Sequence, residues 1–325
     1  MANVVVVTGA GYGVGRAIAE AYGGRGAAVG LLARGRESLD AAAAAIERAG
    51  GRALSVPTDV ADHDQVESAA ARVESELGEL DVWVNCAMAT IFAPFHQVTP
   101  DEYRRATEVT YLGYVWGTMA ALRRMRLRDR GTIVQVGSAL AYRSIPLQAA
   151  YCGAKHAING FTDSLRTELL HDRSSVRLTT VHLPALNTPQ FEVGRSRLPR
   201  RPQPVPPIFD PELAADAVVW ASENDRREVW VGGPTVLAIA GARLAPGLAD
   251  LYLARTGYES QQTEEPARPG QPDNLFEPVA GVRGSRGRFH DRAKNGSVQL
   301  ALVRNRDALL AALGFAAAAF ALKRR

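Results

Sequence analysis

Val4-Val5-Val6-Val7-Thr8-Gly9-Ala10-Gly11-Tyr12-Gly13-Val14-Gly15-Arg16-Ala17-Ile18-Ala19 reads as a short strand, a glycine-rich turn and the start of a helix. Glycine lets the backbone approach a bound pyrophosphate and lets helix and strand lie close together. The N–H groups at the helix start attract the anion. An ordinary tight turn also uses glycine, so the weight of the motif comes from its place at the end of an apolar strand. Thr8, Gly9, Gly13, Val14 and Gly15 are therefore candidate cofactor residues.

Outward from this unit, short β-branched runs at 29–33, 54–57, 82–85, 132–136 and 176–183 alternate with helical stretches at 37–49, 62–77, 101–126, 151–171 and 211–221. The runs lack in/out polar alternation, as strands of a parallel sheet covered on both faces do. The expected fold class is α/β, a doubly wound Rossmann sheet with helices on both faces. At the end of the second strand, Leu31-Leu32-Ala33-Arg34-Gly35-Arg36 carries no acid before Glu37. An NAD-type site would place Asp or Glu there for the ribose 2′-hydroxyl, whereas the Arg34 fork suits a 2′-phosphate. NADP(H) is the expected cofactor, with NAD(H) the alternative.

With these residues assembled, the chain resembles the short-chain dehydrogenase/reductase family over residues 4–233. The matches run in order: the TGxxxGxG turn of Thr8, Gly9, Gly13 and Gly15, the pair Asp59-Val60, Asn85, Ser138, the YxxxK pair Tyr151 and Lys155, and Pro184 with Thr188. The resemblance implies a seven-stranded parallel sheet closed by a strand at 228–231. It also implies that Asp59, with Val60, reads the adenine, that Asn85 and Ala87 border the cofactor, and that Thr188 bonds the nicotinamide carboxamide. Helices 101–126 and 151–171 are expected to form the interface of a homodimer or homotetramer.

The chemistry follows from the residues. Reducing a carbonyl with a hydride needs a proton donor on the oxygen, and the reverse reaction needs a base. A free phenol, with its pKa near about 10, is a poor base; a neighbouring ammonium favours phenolate. Tyr151 is the candidate acid/base, and Lys155, four residues on, shares its helix face and is expected to lower its pKa and hold the ribose. Ser138 would hydrogen-bond the substrate oxygen. The chain holds three lysines, Lys155, Lys294 and Lys323, so this placement stands out against an arginine background. Two positions depart from the family pattern. Met88 follows Asn85-Cys86-Ala87, and Thr110 stands where a helical Asn usually orders a water behind the lysine. Thr110 is a candidate catalytic residue of an altered relay. Met88, Ile91, Phe92 and Phe95 would give the substrate cleft an apolar wall, or serve as ordinary packing.

Composition narrows the classes. At 325 residues, 46% hydrophobic and 22% charged, the chain is of ordinary globular make-up. A formal charge of +4 with scattered arginines argues against nucleic acid. Cys86 and Cys152 match no disulfide or metal-ligand spacing, so no metal is expected and a cytoplasmic location is. Three domains of behaviour are expected: a catalytic unit over 1–258, with a Pro/Arg-rich substrate loop at 195–211; a Gly- and Pro-rich flexible linker over 259–300; and an apolar C-terminal helix over 301–325. Its core, 308–322, would span about 22 Å as a helix, short of the roughly 30 Å of a bilayer interior, so it reads either as a membrane tether or as a helix docked on protein. The expected activity is NADP(H)-dependent interconversion of a carbonyl and an alcohol on a small molecule, a lipophilic one if the tail meets membrane. The competing readings are a catalytically weak NADP(H)-binding scaffold or sensor, and a membrane-attached interaction protein acting through its tail.

Overall fold

The computed structural model describes residues 4–268 and 270–306. Seven strands form one sheet: β1 (Val4–Thr8), β2 (Ala28–Ala33), β3 (Arg52–Pro57), β4 (Val82–Asn85), β5 (Thr132–Ser138), β6 (Arg177–Leu183) and β7 (Glu228–Trp230). Their spatial order is β7-β6-β5-β4-β1-β2-β3, and every neighbouring pair is parallel. The order reverses between β1 and β4. Ligands of such sheets bind in the crevice beyond the carboxyl ends of the strands at that point.

The apolar runs lack alternation because both faces are covered. Val5 and Val7 of β1 join Ile18, Leu31, Ile46 and Val218 in one core. Val4 and Val6 join Val66, Val73, Trp83 and Ile133 in the other. The first core is roofed by α1 (Gly13–Gly23), α2 (Arg36–Arg48) and α7 (Pro211–Glu223). The second is roofed by α3 (His63–Leu77), α5 (Gly113–Met125) and α6 (Ala149–His171). Asp62 caps α3 by accepting from the Asp64 and Gln65 amides. At Gly117 an added Cβ would lie 2.2 Å from Asn85 Oδ1, so glycine is what lets α5 settle onto β4.

Three expectations change. The helix expected over 101–126 is α4 (Pro100–Thr107), a π turn at Glu108–Leu112, and then α5. The 195–211 loop carries short strands: Arg195–Ser196 pairs with Ile91–Phe92, Arg200–Pro202 with Gln262–Pro266, and Ile208–Phe209 with Ala293–Lys294. Residues 259–300 are also not a free linker. After α8 (Gly233–Leu244) and α9 (Pro246–Thr256) the chain folds back along the crevice, then enters α10 (Val298–Arg304). The reason is local chemistry: the segment docks through buried Leu275 and through its backbone groups, which composition does not reveal. Among the described residues no helix is long and apolar enough to cross a membrane, and 308–322 lies outside them.

Candidate cofactor and active site

A cavity of about 620 Å³ runs along the carboxyl edge of the sheet. Such a volume suits a cofactor or small-molecule site. Of the residues singled out in the sequence, Gly9, Gly13, Val14, Gly15, Arg34, Asp59, Val60, Ala87, Ser138, Tyr151, Lys155, Pro184 and Thr188 line it. Gly9 is required twice over: its φ is +70°, and a Cβ there would come within 2.8 Å of Ala87 Cα. Arg34, at the end of β2, and Ser138, at the end of β5, are separated by three strand spacings, or about 14 Å.

Thr8, Asn85 and Thr110 stand behind this wall. The Thr8 hydroxyl accepts from the Cys86 and Ala87 amides, tying β1 to the turn after β4. Fully buried Asn85 accepts from Trp83 Nε1 and donates to Tyr114 O, Thr118 Oγ1 and Gln135 Oε1. Its place is structural, fixing α5 against β4 and β5. The Thr110 hydroxyl accepts from the Ala89 amide at 2.9 Å and donates to the Ala89 carbonyl at 3.0 Å. It therefore serves the backbone after β4, and the hydroxyl on Lys155 is another.

That hydroxyl belongs to Tyr114, which sequence reasoning missed. Lys155 Nζ donates to Tyr114 Oη at 2.8 Å and to Val136 O at 2.7 Å. Tyr114 in turn donates to Val136 O at 2.9 Å. Burial pulls the Lys155 ammonium down to about 7, because a low-dielectric site disfavours charge. Nζ lies 5.6 Å from the Tyr151 ring centroid. The Tyr151 phenol is raised above its ordinary value by burial, with a hydrogen bond to Ser138 pulling the other way. With the protein's own groups, then, the net direction is upward, set by burial. The phenol is the protonated form at neutral pH.

At the other end, the two terminal nitrogens of Arg34 donate to the Asn274 and Phe276 carbonyls. Asn274 Nδ2 donates to Tyr12 Oη, and the Gly13 amide donates to Gly284 O at 3.1 Å. Residues 270–289 thus strap the Arg34 side of the crevice, and Asn274, Pro278 and Val279 line it. Asp59 is ion-paired to Arg105, which also donates to Leu275 O. Met88 lines the cavity, but Ile91 and Phe92 lie in the buried short strand and Phe95 is exposed against Tyr103. Among the described residues no group of three His, Cys, Asp or Glu side chains could hold a metal.

A doubly wound sheet with this crevice and a Ser, Tyr and Lys on its wall defines a class of nicotinamide-dependent oxidoreductases. The family model for short chain dehydrogenase matches residues 3–197, and the chain belongs to that family as an oxidoreductase. It is 32% identical over 296 residues to the uncharacterised oxidoreductase YxnA of Bacillus subtilis, covering 90% of this chain and 81% of that one. It is 34% identical to the cis-4-hydroxycyclohexanecarboxylate dehydrogenase of Sinomonas cyclohexanicum, covering 75% of this chain and 97% of that one. Among solved structures, a metagenomic short-chain oxidoreductase in complex with NADP superposes with a TM-score of 0.59 at 30% identity, covering 70% of this chain and 96% of that one. About three tenths of this chain therefore has no counterpart in that neighbour.

Proposed function

We propose that the protein is an NADP(H)-dependent oxidoreductase that interconverts a carbonyl and an alcohol. The observation that carries the reading is the meeting of Ser138, Tyr151 and Lys155 on one cavity whose far end is bordered by the glycine turn and Arg34. The dinucleotide, when bound, supplies or accepts the hydride. Tyr151 donates its phenolic proton to the substrate oxygen as negative charge grows there, and the Ser138 hydroxyl holds that oxygen in place. Burial keeps the phenol protonated at neutral pH, which is the form a reduction needs. Lys155 stabilises the phenolate left behind and holds the ribose hydroxyls.

The NADP(H) preference rests on Arg34. No carboxylate stands between the end of β2 and Glu37, which lies in α2 and accepts from the Gly281 amide. The guanidinium is held at the cavity edge by the strap carbonyls, where a 2′-phosphate adds a charge-assisted partner. Leu140, Ile145, Phe191, Leu237 and Tyr252 give the substrate end an apolar lining, which favours a lipophilic substrate.

The test is oxidation of NADPH and NADH against a panel of aldehydes and ketones, with Tyr151→Phe as control. Turnover with NADPH, reduced at least about 10²-fold by the substitution, is expected. Activity indifferent to Tyr151→Phe overturns the mechanism. Tight NADPH binding without turnover on any carbonyl supports a sensor instead.

A further inference from the structure

The surroundings of Lys155 contain no charged partner among the described residues. Facing it are Tyr151 on its own helix, Cys86 beyond β4, His182 on β6 and Tyr114 on α5. Burial pushes the Cys86 thiol up to about 12 and the His182 imidazole down to about 4, so both are neutral near pH 7. What supports the ammonium is a pair of oxygens, the phenol of Tyr114 and the Val136 carbonyl. The Tyr114 hydroxyl proton is committed to Val136 O, so its oxygen acts toward Nζ as an acceptor. Tyr114 is 1% exposed and does not line the cavity. Two of the three ammonium N–H groups are thereby engaged by the protein, and one remains. Thr110, one turn earlier, is committed to Ala89 and leaves this place to the longer side chain.

We propose that Tyr114 is the positioning residue behind Lys155, its phenol oxygen holding the lysine charged and aimed, and closing the inner side so that Lys155 exchanges protons through the crevice alone. The proposal deepens the oxidoreductase reading by assigning its relay, yet its central claim, support of the lysine's charge, can be measured without turnover. Tyr114 does not itself ionise in the working range, since burial raises its pKa well above 10.0. Its hydroxyl proton rests on the Val136 carbonyl, which has no proton to pass on, so the line of bonds ends there.

The three lysines of the chain make a direct test practical. In protein labelled at lysine with ¹³C and ¹⁵N, Lys155 titrates by NMR against Lys294 and Lys323 as internal references. The sign follows from the geometry: removing a hydrogen-bond acceptor from a charged donor disfavours the charged form, so the pKa falls. Tyr114→Phe is expected to lower the Lys155 value from about 7 by about one pH unit, with the other two lysines unmoved. Tyr114→Gln, whose amide oxygen can accept from Nζ, is expected to lie above Tyr114→Leu; this pair carries the test if the Phe variant does not fold. Thr110→Asn is expected to leave Lys155 where it is. In turnover, the fall of the reductive rate with rising pH moves to lower pH in Tyr114→Phe. An unshifted Lys155 in Tyr114→Phe, or a shift in Thr110→Asn and not in Tyr114→Phe, overturns the proposal. Absence of carbonyl turnover in the wild type would count against the oxidoreductase reading while leaving the titration to decide this one.

Discussion

Leu275 is the apolar anchor of a segment that sequence composition reads as loose, and replacing it by alanine measures how the strap is held. The side chain is fully buried and joins the core that contains Val60, Ala106 and Val109. Truncating a buried leucine costs about 3 kcal/mol, and each 1.36 kcal/mol is a factor of about ten. The bonds from Arg34 to Asn274 O and Phe276 O and from Arg105 to Leu275 O are to backbone and survive the substitution. If the strap opens as a unit, its open fraction rises on the order of 10²-fold while the sheet, which does not include it, keeps its stability. Trypsin reports the opening, because Arg283, Arg286 and Arg288 lie on the strap. In Leu275→Ala the first cleavage is expected at these arginines, at a rate raised on the order of 10²-fold, with the midpoint of global thermal unfolding nearly unchanged. A midpoint that falls by several degrees with no acceleration of strap cleavage would refute the reasoning: the segment would then be part of the main cooperative unit.

Arg34→Ala should raise the KM for NADPH by about 10- to 100-fold, from loss of a charge-assisted hydrogen bond, with little effect on NADH; steady-state comparison of the two cofactors decides it. Glu102 accepts from Arg195 and Arg197 and from the Thr99 amide, and these partners outweigh burial to lower its pKa from 4.5 to about 2. A depressed folded value means that the stabilisation is present above pH 4.5 and is lost as pH falls toward 2. It is on the order of 2 kcal/mol after discounting for solvent screening, so Glu102→Gln should flatten the acid limb of a denaturation profile between those values. Gly117→Ala sets a methyl 2.2 Å from Asn85 Oδ1 and 2.7 Å from Trp83 Nε1; overpacking of this kind costs about 1–3 kcal/mol, visible as a lower denaturant midpoint.

The sheet was legible because a parallel strand covered on both faces writes its state as a run of valines, and β1 does so without interruption. The glycine turn, Ser138, Tyr151 and Lys155 were legible because their chemistry depends on residue type at fixed spacing. Which hydroxyl bonds Lys155 was not legible, for a different reason. Thr110 and Tyr114 are four residues apart and both are buried, and spacing alone does not tell which of two hydroxyls reaches the lysine. The answer lies in reach: a phenol extends several ångströms further than a threonine hydroxyl. The strap was invisible because most of its attachments use backbone carbonyls and amides, at residues 274, 275, 276, 281, 283 and 284, which every sequence possesses.

Where this enzyme ends is thus not where its sheet ends. A shortened version stopped after Glu228–Trp230 would keep all seven strands and each of Ser138, Tyr151 and Lys155. It would also strip bond acceptors from Arg16, Arg34 and Arg105 and uncover the apolar site of Leu275. A chain cut there for expression or crystallisation would lose Asn274, Pro278 and Val279 from the wall of the cavity.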